Sequence, residues 1–159
     1  MDDFVYFDVQ KIIEIHENVL EESGGFPGIK DMSSLETTVE FVKNDFYYPT
    51  LIDKVCYIIF NLATSHPFLD ANKRTALSVS AFFLNINEPD FCSSYYMEVM
   101  EDMVIFLVEN LITKYELGLF VDCIISKVEF SEDLKLLLVN CYQKHHEILE
   151  SFGIDLEDV

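Results

Sequence analysis

Two stretches of this chain have little choice but to become helices enclosed by other helices. Over residues 51–65, Leu51, Ile52, Val55, Ile58, Ile59 and Leu62 leave almost no polar side. Over residues 72–86, Ala76, Leu77, Val79, Ala81, Phe82, Phe83, Leu84 and Ile86 do the same. A helix apolar along one stripe can lie on a surface, but one apolar on most sides needs partners all round. The pair predicts two central helices wrapped by others.

The remaining segments supply the wrapping. Asp8 is placed to cap a helix to about Glu22, carrying Ile12, Ile15, Val19 and Leu20 at helical spacing, and the run Gly-Gly-Phe-Pro-Gly at 24–28 ends it. Ser33 with Glu36 reads as a capping box for a helix to about Lys43, and Thr50 with Asp53 repeats the device before the first central helix. Residues 94–111, 116–128 and 131–150 also read as helices. The last opens at Ser131 with Glu132 and Asp133, and Lys144, His145 and His146 lie toward its end, so that its charges complement its dipole. No run alternates with a strand's period of two. The predicted class is all-α, a helical bundle with at most a small hairpin near Tyr47–Pro49 or Glu88–Phe91.

With 159 residues, half of them hydrophobic, and no Pro, Gly or Ser tract to divide it, the chain is expected to form one compact unit. No apolar run approaches a membrane span, and the opening residues are acidic where a signal peptide would be positive, which predicts a cytoplasmic protein away from membranes. Cys56, Cys92, Cys123 and Cys141 lie far apart without a Cys-x-x-Cys pair and are expected to be reduced. A net charge of −19 argues against direct nucleic-acid binding, which draws its affinity from Lys and Arg on phosphates; it suits solubility or a basic partner.

Against that acidity, the junction between the two central helices stands out. It reads His-Pro-Phe-Leu-Asp-Ala-Asn-Lys-Arg-Thr-Ala over residues 66–76, and places the chain's single arginine, Arg74, beside Lys73 where a helix starts. A helix N-terminus already carries unpaired N–H groups and partial positive charge, so two cations there call for an anion, and phosphate is the natural one. Asp70 offers hard oxygens for Mg2+, His66 a general base of suitable intrinsic pKa, and Asn72 either a cap or a hydrogen bond to a phosphate oxygen. Phe68 is expected to point inward as the loop's anchor. Residue types alone leave a plain helix-loop-helix junction with solvated charges equally open.

The stretch resembles the signature of the Fic/Doc family, His-x-Phe-x-Asp/Glu-Gly-Asn-Gly-Arg, and is most similar to its death-on-curing (Doc) branch, which reads Asp-Ala-Asn-Lys-Arg-Thr-Ala-Leu. The segment from Ile15 to Asp31 looks like that branch's first helix and glycine-rich loop, and the similarity extends to about residue 128. The resemblance implies a Fic/Doc-like domain over residues 1–128, with residues 129–159 as a C-terminal helical extension packed on it. It implies His66 as catalytic base, Asp70 as magnesium ligand, Asn72 as a phosphate-positioning residue, and Lys73 and Arg74 as an anion clamp. Ala71 takes the turn position where many relatives have Gly.

Lys73 replaces a second Gly of most Fic proteins, and Leu77 replaces a further Arg. A lysine there fills the space that inner phosphates would occupy during AMP transfer. The resemblance therefore implies a Doc-like toxin of a toxin-antitoxin system. It would move the terminal phosphate of ATP, with Mg2+, onto a hydroxyl of elongation factor Tu, stop translation, and be held in check by an antitoxin protein. A Fic-type AMP transferase and a non-catalytic binding protein on the same fold are the alternatives.

Other features read more simply. The run Gly24–Lys30 lacks the spacing of a phosphate loop and is a helix-ending turn; His145 and His146 diverge on their helix, which disfavours a metal site; His16 is a packing or surface residue. The extension from Glu129 holds eight acidic residues and two lysines, a net of −6, and is expected to pack as an added helix.

Overall fold

A computed structural model describes residues 3–153. Seven helices follow one another: α1 (Val9–Ser23), α2 (Met32–Phe41), α3 (Leu51–Thr64), α4 (Asn72–Asn87), α5 (Ser93–Val108), α6 (Lys114–Ser126) and α7 (Glu132–Ser151). The fold is all-α. Among the described residues there is no strand at either expected hairpin position; the one β-bridge pairs Ile29 with Phe68. Likewise, no helix among them is long and apolar enough to cross a membrane.

The two central helices are α3 and α4. They pack on each other more extensively than any other pair, with α5 and α1 against α4 and α6 and α2 against α3. Val55, Ile58, Ile59 and Leu62 of α3 and Ala76, Val79, Phe83 and Leu84 of α4 are fully buried, as their all-round apolar pattern requires. At about 25 cal/mol per Å2 of apolar surface, each large side chain so buried contributes roughly 1.5–3 kcal/mol to holding the pair together.

Caps set most helix starts. Asp8, Thr50 and Ser131 accept from first-turn N–H groups as their positions predict, and Thr50 with Asp53 closes a full capping box. α2 differs: Asp31, in extended conformation, accepts from the Ser34 N–H, so the helix starts ahead of the Ser33–Glu36 pair. α7 spans the expected stretch to within a residue, but it has no basic residue in its last turn. His145 sits more than a turn earlier, paired through Nδ1 with the Glu109 carboxylate at 2.8 Å. That pair, the Tyr142 hydroxyl donating to Asp102 and the Phe106–Tyr142 edge contact pack α7 on α5. Residues 154–159 of the extension lie outside the described residues. All four cysteines are unpaired; Cys56 and Cys141 are buried, whereas Cys92 is exposed.

Lys54 is wholly buried in the first turn of α3. Its ammonium donates to the Val42 carbonyl at 2.8 Å and to Asp45 at 2.9 Å, with the Phe4 and Tyr6 rings 5.4 and 5.5 Å away. It therefore ties the N-terminal segment and the α2–α3 loop to the core. Replacing it by methionine keeps the unbranched stem, one atom shorter, but orphans a buried carbonyl, so Lys54→Met should cost about 2 kcal/mol in urea unfolding, with the slope unchanged.

Candidate active site

Five helices, α1, α2, α3, α6 and α7, have a side chain capping the first turn. α4 does not. It starts from Ala71 in the left-handed region (φ 65°, ψ 27°) with no side-chain cap, which leaves the first-turn N–H groups pointing out of the helix end. Its first backbone bond is Thr75 N–H to the Ala71 carbonyl at 2.9 Å. His66, at the other end of the loop, also has positive φ, 52°. Two non-glycine residues in this region cost on the order of 1–3 kcal/mol each, so the surrounding contacts must over-determine the loop.

Those contacts are dense. Asn72 turns back into the loop, its Oδ1 accepting from the Phe68 N–H at 2.9 Å and its Nδ2 donating to the Phe68 carbonyl at 3.0 Å. One acceptor and one donor site of its amide are thereby used on backbone, and Asn72 does not cap α4. Phe68 points inward and is buried, as expected, and its ring lies flat on His16 of α1, centroids 3.7 Å apart and planes 3° from parallel. His16 is buried as well, and its Nε2–H donates to the Asp70 carbonyl at 2.9 Å, which fixes the tautomer.

The glycine-rich loop braces the same turn from outside. The Lys30 and Asp31 N–H groups donate to the Pro67 carbonyl at 2.8 and 3.0 Å, and the Leu69 N–H to the Gly28 carbonyl at 3.0 Å. The Asp70 carboxylate accepts from the Phe26 N–H at 3.0 Å and the Ala71 N–H at 2.7 Å. Gly25, at φ 130°, lies so close that a Cβ would stand 2.7 Å from Asp70 Oδ2.

Asp70 is held ionised. The Phe26 and Ala71 N–H bonds, with lesser help from Arg74 and His16, lower its pKa from the ordinary 3.8. A carboxyl with a depressed folded-state pKa stabilises above its unfolded-state value and loses that contribution as pH falls through the folded one. The bracing by Asp70 should thus be complete at neutral pH and weaken only below about pH 4; a fall in the protection of the Phe26 amide against exchange, relative to its intrinsic rate at each pH and absent in Asp70→Asn, checks it.

The two cations part company. Arg74 Nη1 donates to the Gly24 carbonyl at 2.8 Å and to Ser23 Oγ, while Nη2 stands 4.0 Å from Asp70. The cost of a cation at the start of α4 is offset by the carbonyl end of α1 and by this carboxylate, so Arg74 does not wait unpaired for an anion. Lys73 is exposed and has no ion pair among the described residues. Together His66, Asp70, Ala71, Asn72, Lys73 and Arg74 surround one cavity of about 370 Å3, with His66 exposed at its edge. Leu77 is not part of it; it lies with Lys73 and Arg74 on a neighbouring groove between α1, α4 and α5.

His16, Ser23, Gly24, Gly25 and Phe26 are the site residues that the motif itself does not reveal. The one sequence signal for them is the resemblance of the first helix and its glycine-rich loop.

The bundle thus presents an uncapped helix start with one unpaired cation, an ionised carboxylate and an exposed histidine at its rim. The Fic/DOC family model matches residues 6–84, which hold α1 to α3, α4 as far as Leu84, and this whole site. The toxin Doc of Mycolicibacterium smegmatis is 31% identical over 85 residues, 51% of this chain and 65% of that protein. The protein kinase doc of Escherichia phage P1 is 32% identical over 82 residues, 49% of this chain and 64% of that protein. The matches therefore cover just under two thirds of these relatives. The chain belongs to the Fic/Doc family.

Proposed function

We propose that this chain is a Doc-like toxin of a toxin-antitoxin system, acting in the cytoplasm as a protein kinase that moves the terminal phosphate of ATP onto a hydroxyl of elongation factor Tu and so stops translation. The observation that carries the reading is the uncapped start of α4, whose outward N–H groups and unpaired Lys73 share one cavity with His66 and Asp70. The names of the two relatives, a toxin and a protein kinase, point the same way.

The chemistry follows from the charges. Phosphoryl transfer needs its charge neutralised and its nucleophile placed more than it needs covalent help. Helix N–H groups and Lys73 receive phosphate oxygens, and they are preorganised because the braced loop cannot relax away from them. Asp70 fits a hard cation: it is ionised, about two fifths exposed, and each oxygen spends one lone pair on backbone while keeping others free. Mg2+ bound there would neutralise phosphate oxygens. His66 accepts the proton of the incoming hydroxyl as that oxygen bonds to the terminal phosphorus, the bridging bond breaks, and ADP leaves with the electron pair. Arg74 orders the cavity wall by linking α4 to the end of α1.

Lys73 also separates the candidate reactions. It occupies the Gly position at which inner phosphates approach the backbone in AMP transfer, and adds a charge suited to the end of a triphosphate. Purified protein with elongation factor Tu and ATP labelled at the terminal or the innermost phosphate decides the matter. Label from the terminal position alone is expected; label retained only from the innermost position would overturn the kinase reading in favour of AMP transfer. An antitoxin protein is the proposed regulator, and its co-expression should silence the reaction.

A further inference from the structure

The far end of α3 carries a second cavity, of about 500 Å3, between the first turns of α3 and α6. Asp53 near the start of α3 lines it and Ala63 near the other end lines the motif cavity, which separates the two by about 15 Å along the helix. Its walls are aromatic. Tyr48 stacks on Tyr57 with centroids 4.3 Å apart, and Tyr47 and Tyr115 stand at the mouth, 64% and 76% exposed. Phe46, next to Tyr47 and packed edge-on against it, is 86% exposed. Rings this open, clustered on one face, are a recurrent mark of a protein interface.

The polar groups of the cavity select the partner's charge. Asp53 and Asp122 contribute carboxylates, whereas the single cation, Lys114, is folded over the Phe60 ring at 4.4 Å. Phe60 lies outside the cavity lining, so the tyrosine faces within it are left without a cation of their own. The thiol at the cavity wall, Cys56, is pushed up to about 12 by burial and offers no nucleophile. What remains is ring faces with carboxylates beside them in a chain of net charge −19.

We infer that this cavity is a docking site for a basic segment of a partner protein, one that inserts an arginine between the tyrosines while its neighbours cover Phe46 and Tyr115. Guanidinium suits the place because it stacks flat on rings and still reaches carboxylates with its edge. A small cation alone would leave the outer rings in water, which is why a polypeptide is the assigned occupant. The site does not rest on the phosphotransfer reading, since it shares no residue with the motif cavity.

The test uses the isotope-labelled full chain and a capped peptide, Gly-Arg-Leu-Arg-Gly, with a glutamate-for-arginine peptide and free arginine as comparisons. Amide shifts are expected in residues 47–57 and 114–122 and not in residues 66–74. Binding should weaken about tenfold in a Tyr115→Ala, Asp122→Asn double variant whose melting temperature is unchanged, and fall with added salt. Shifts scattered over the acidic surface, equal binding by the glutamate peptide, or indifference to the double variant would each overturn the inference. So would free arginine binding as tightly as the peptide, because that defines a small-cation site.

Discussion

His66→Ala should nearly abolish label transfer from ATP, lowering the rate by about 100- to 10,000-fold, the usual contribution of a positioned general base. Growth arrest on expression of the chain should disappear with it. The side chain is exposed at the cavity edge, so the fold has little to lose. The backbone needs more care, since residue 66 holds a φ of 52°. Asparagine tolerates that region better than alanine, so His66→Asn separates loss of the imidazole from backbone strain, and both variants should be equally inactive. Toxicity that survived in both would favour the reading of a non-catalytic binding protein.

Gly25→Ala should be nearly as damaging from outside the motif. Its new methyl group would meet Asp70 Oδ2 at 2.7 Å, Leu20 Cδ2 at 2.8 Å and Arg74 Nη2 at 3.1 Å, on a backbone at φ 130° that side chains rarely adopt. The glycine-rich loop must then retreat, and the Phe26 N–H loses Asp70. We expect a fall of several degrees in melting temperature and at least about tenfold lower transfer activity. Gly24→Ala serves as the comparison, because nothing lies within 4 Å of a Cβ there. It should carry the backbone strain of φ 78° without the collision, and keep more of the activity.

The parts of this molecule that were legible in the sequence are those encoded by neighbours in the chain. α3 and α4 declare themselves because residues three and four apart share a face, and Asp8, Thr50 and Ser131 declare helix starts because a cap acts within one turn. α6 begins at a capping box of Thr113 with Glu116, ahead of the expected residue 116, although this Thr-x-x-Glu pair is as local a signal as that of Thr50 with Asp53. The motif was readable as a contiguous string, Phe68's inward anchor included.

What could not be read is what the string touches. Arg74 meets Ser23 across 51 positions, Asp70 meets Phe26 across 44, and His16 meets Asp70 across 54. The spacing of the first helix leaves His16 as a packing or a surface residue and does not show that it is buried and stacked on Phe68. Asn72 has the right chemistry for a cap, and yet the geometry spends it on Phe68, because a left-handed Ala71 turns its amide back into the loop. Side-chain type sets what a residue is able to bind; tertiary contact decides which of those options it takes.

The bridging of the motif by the end of α1 has a consequence for chains still emerging from the ribosome. A nascent polypeptide that has paired α3 with α4 but not yet seated its first helix would carry every residue of the motif and none of the bonds from Ser23, Gly24 and Phe26. Such a half-built molecule presents an unbraced turn, so competence arrives late and all at once, when the amino-terminal helix closes over the bundle.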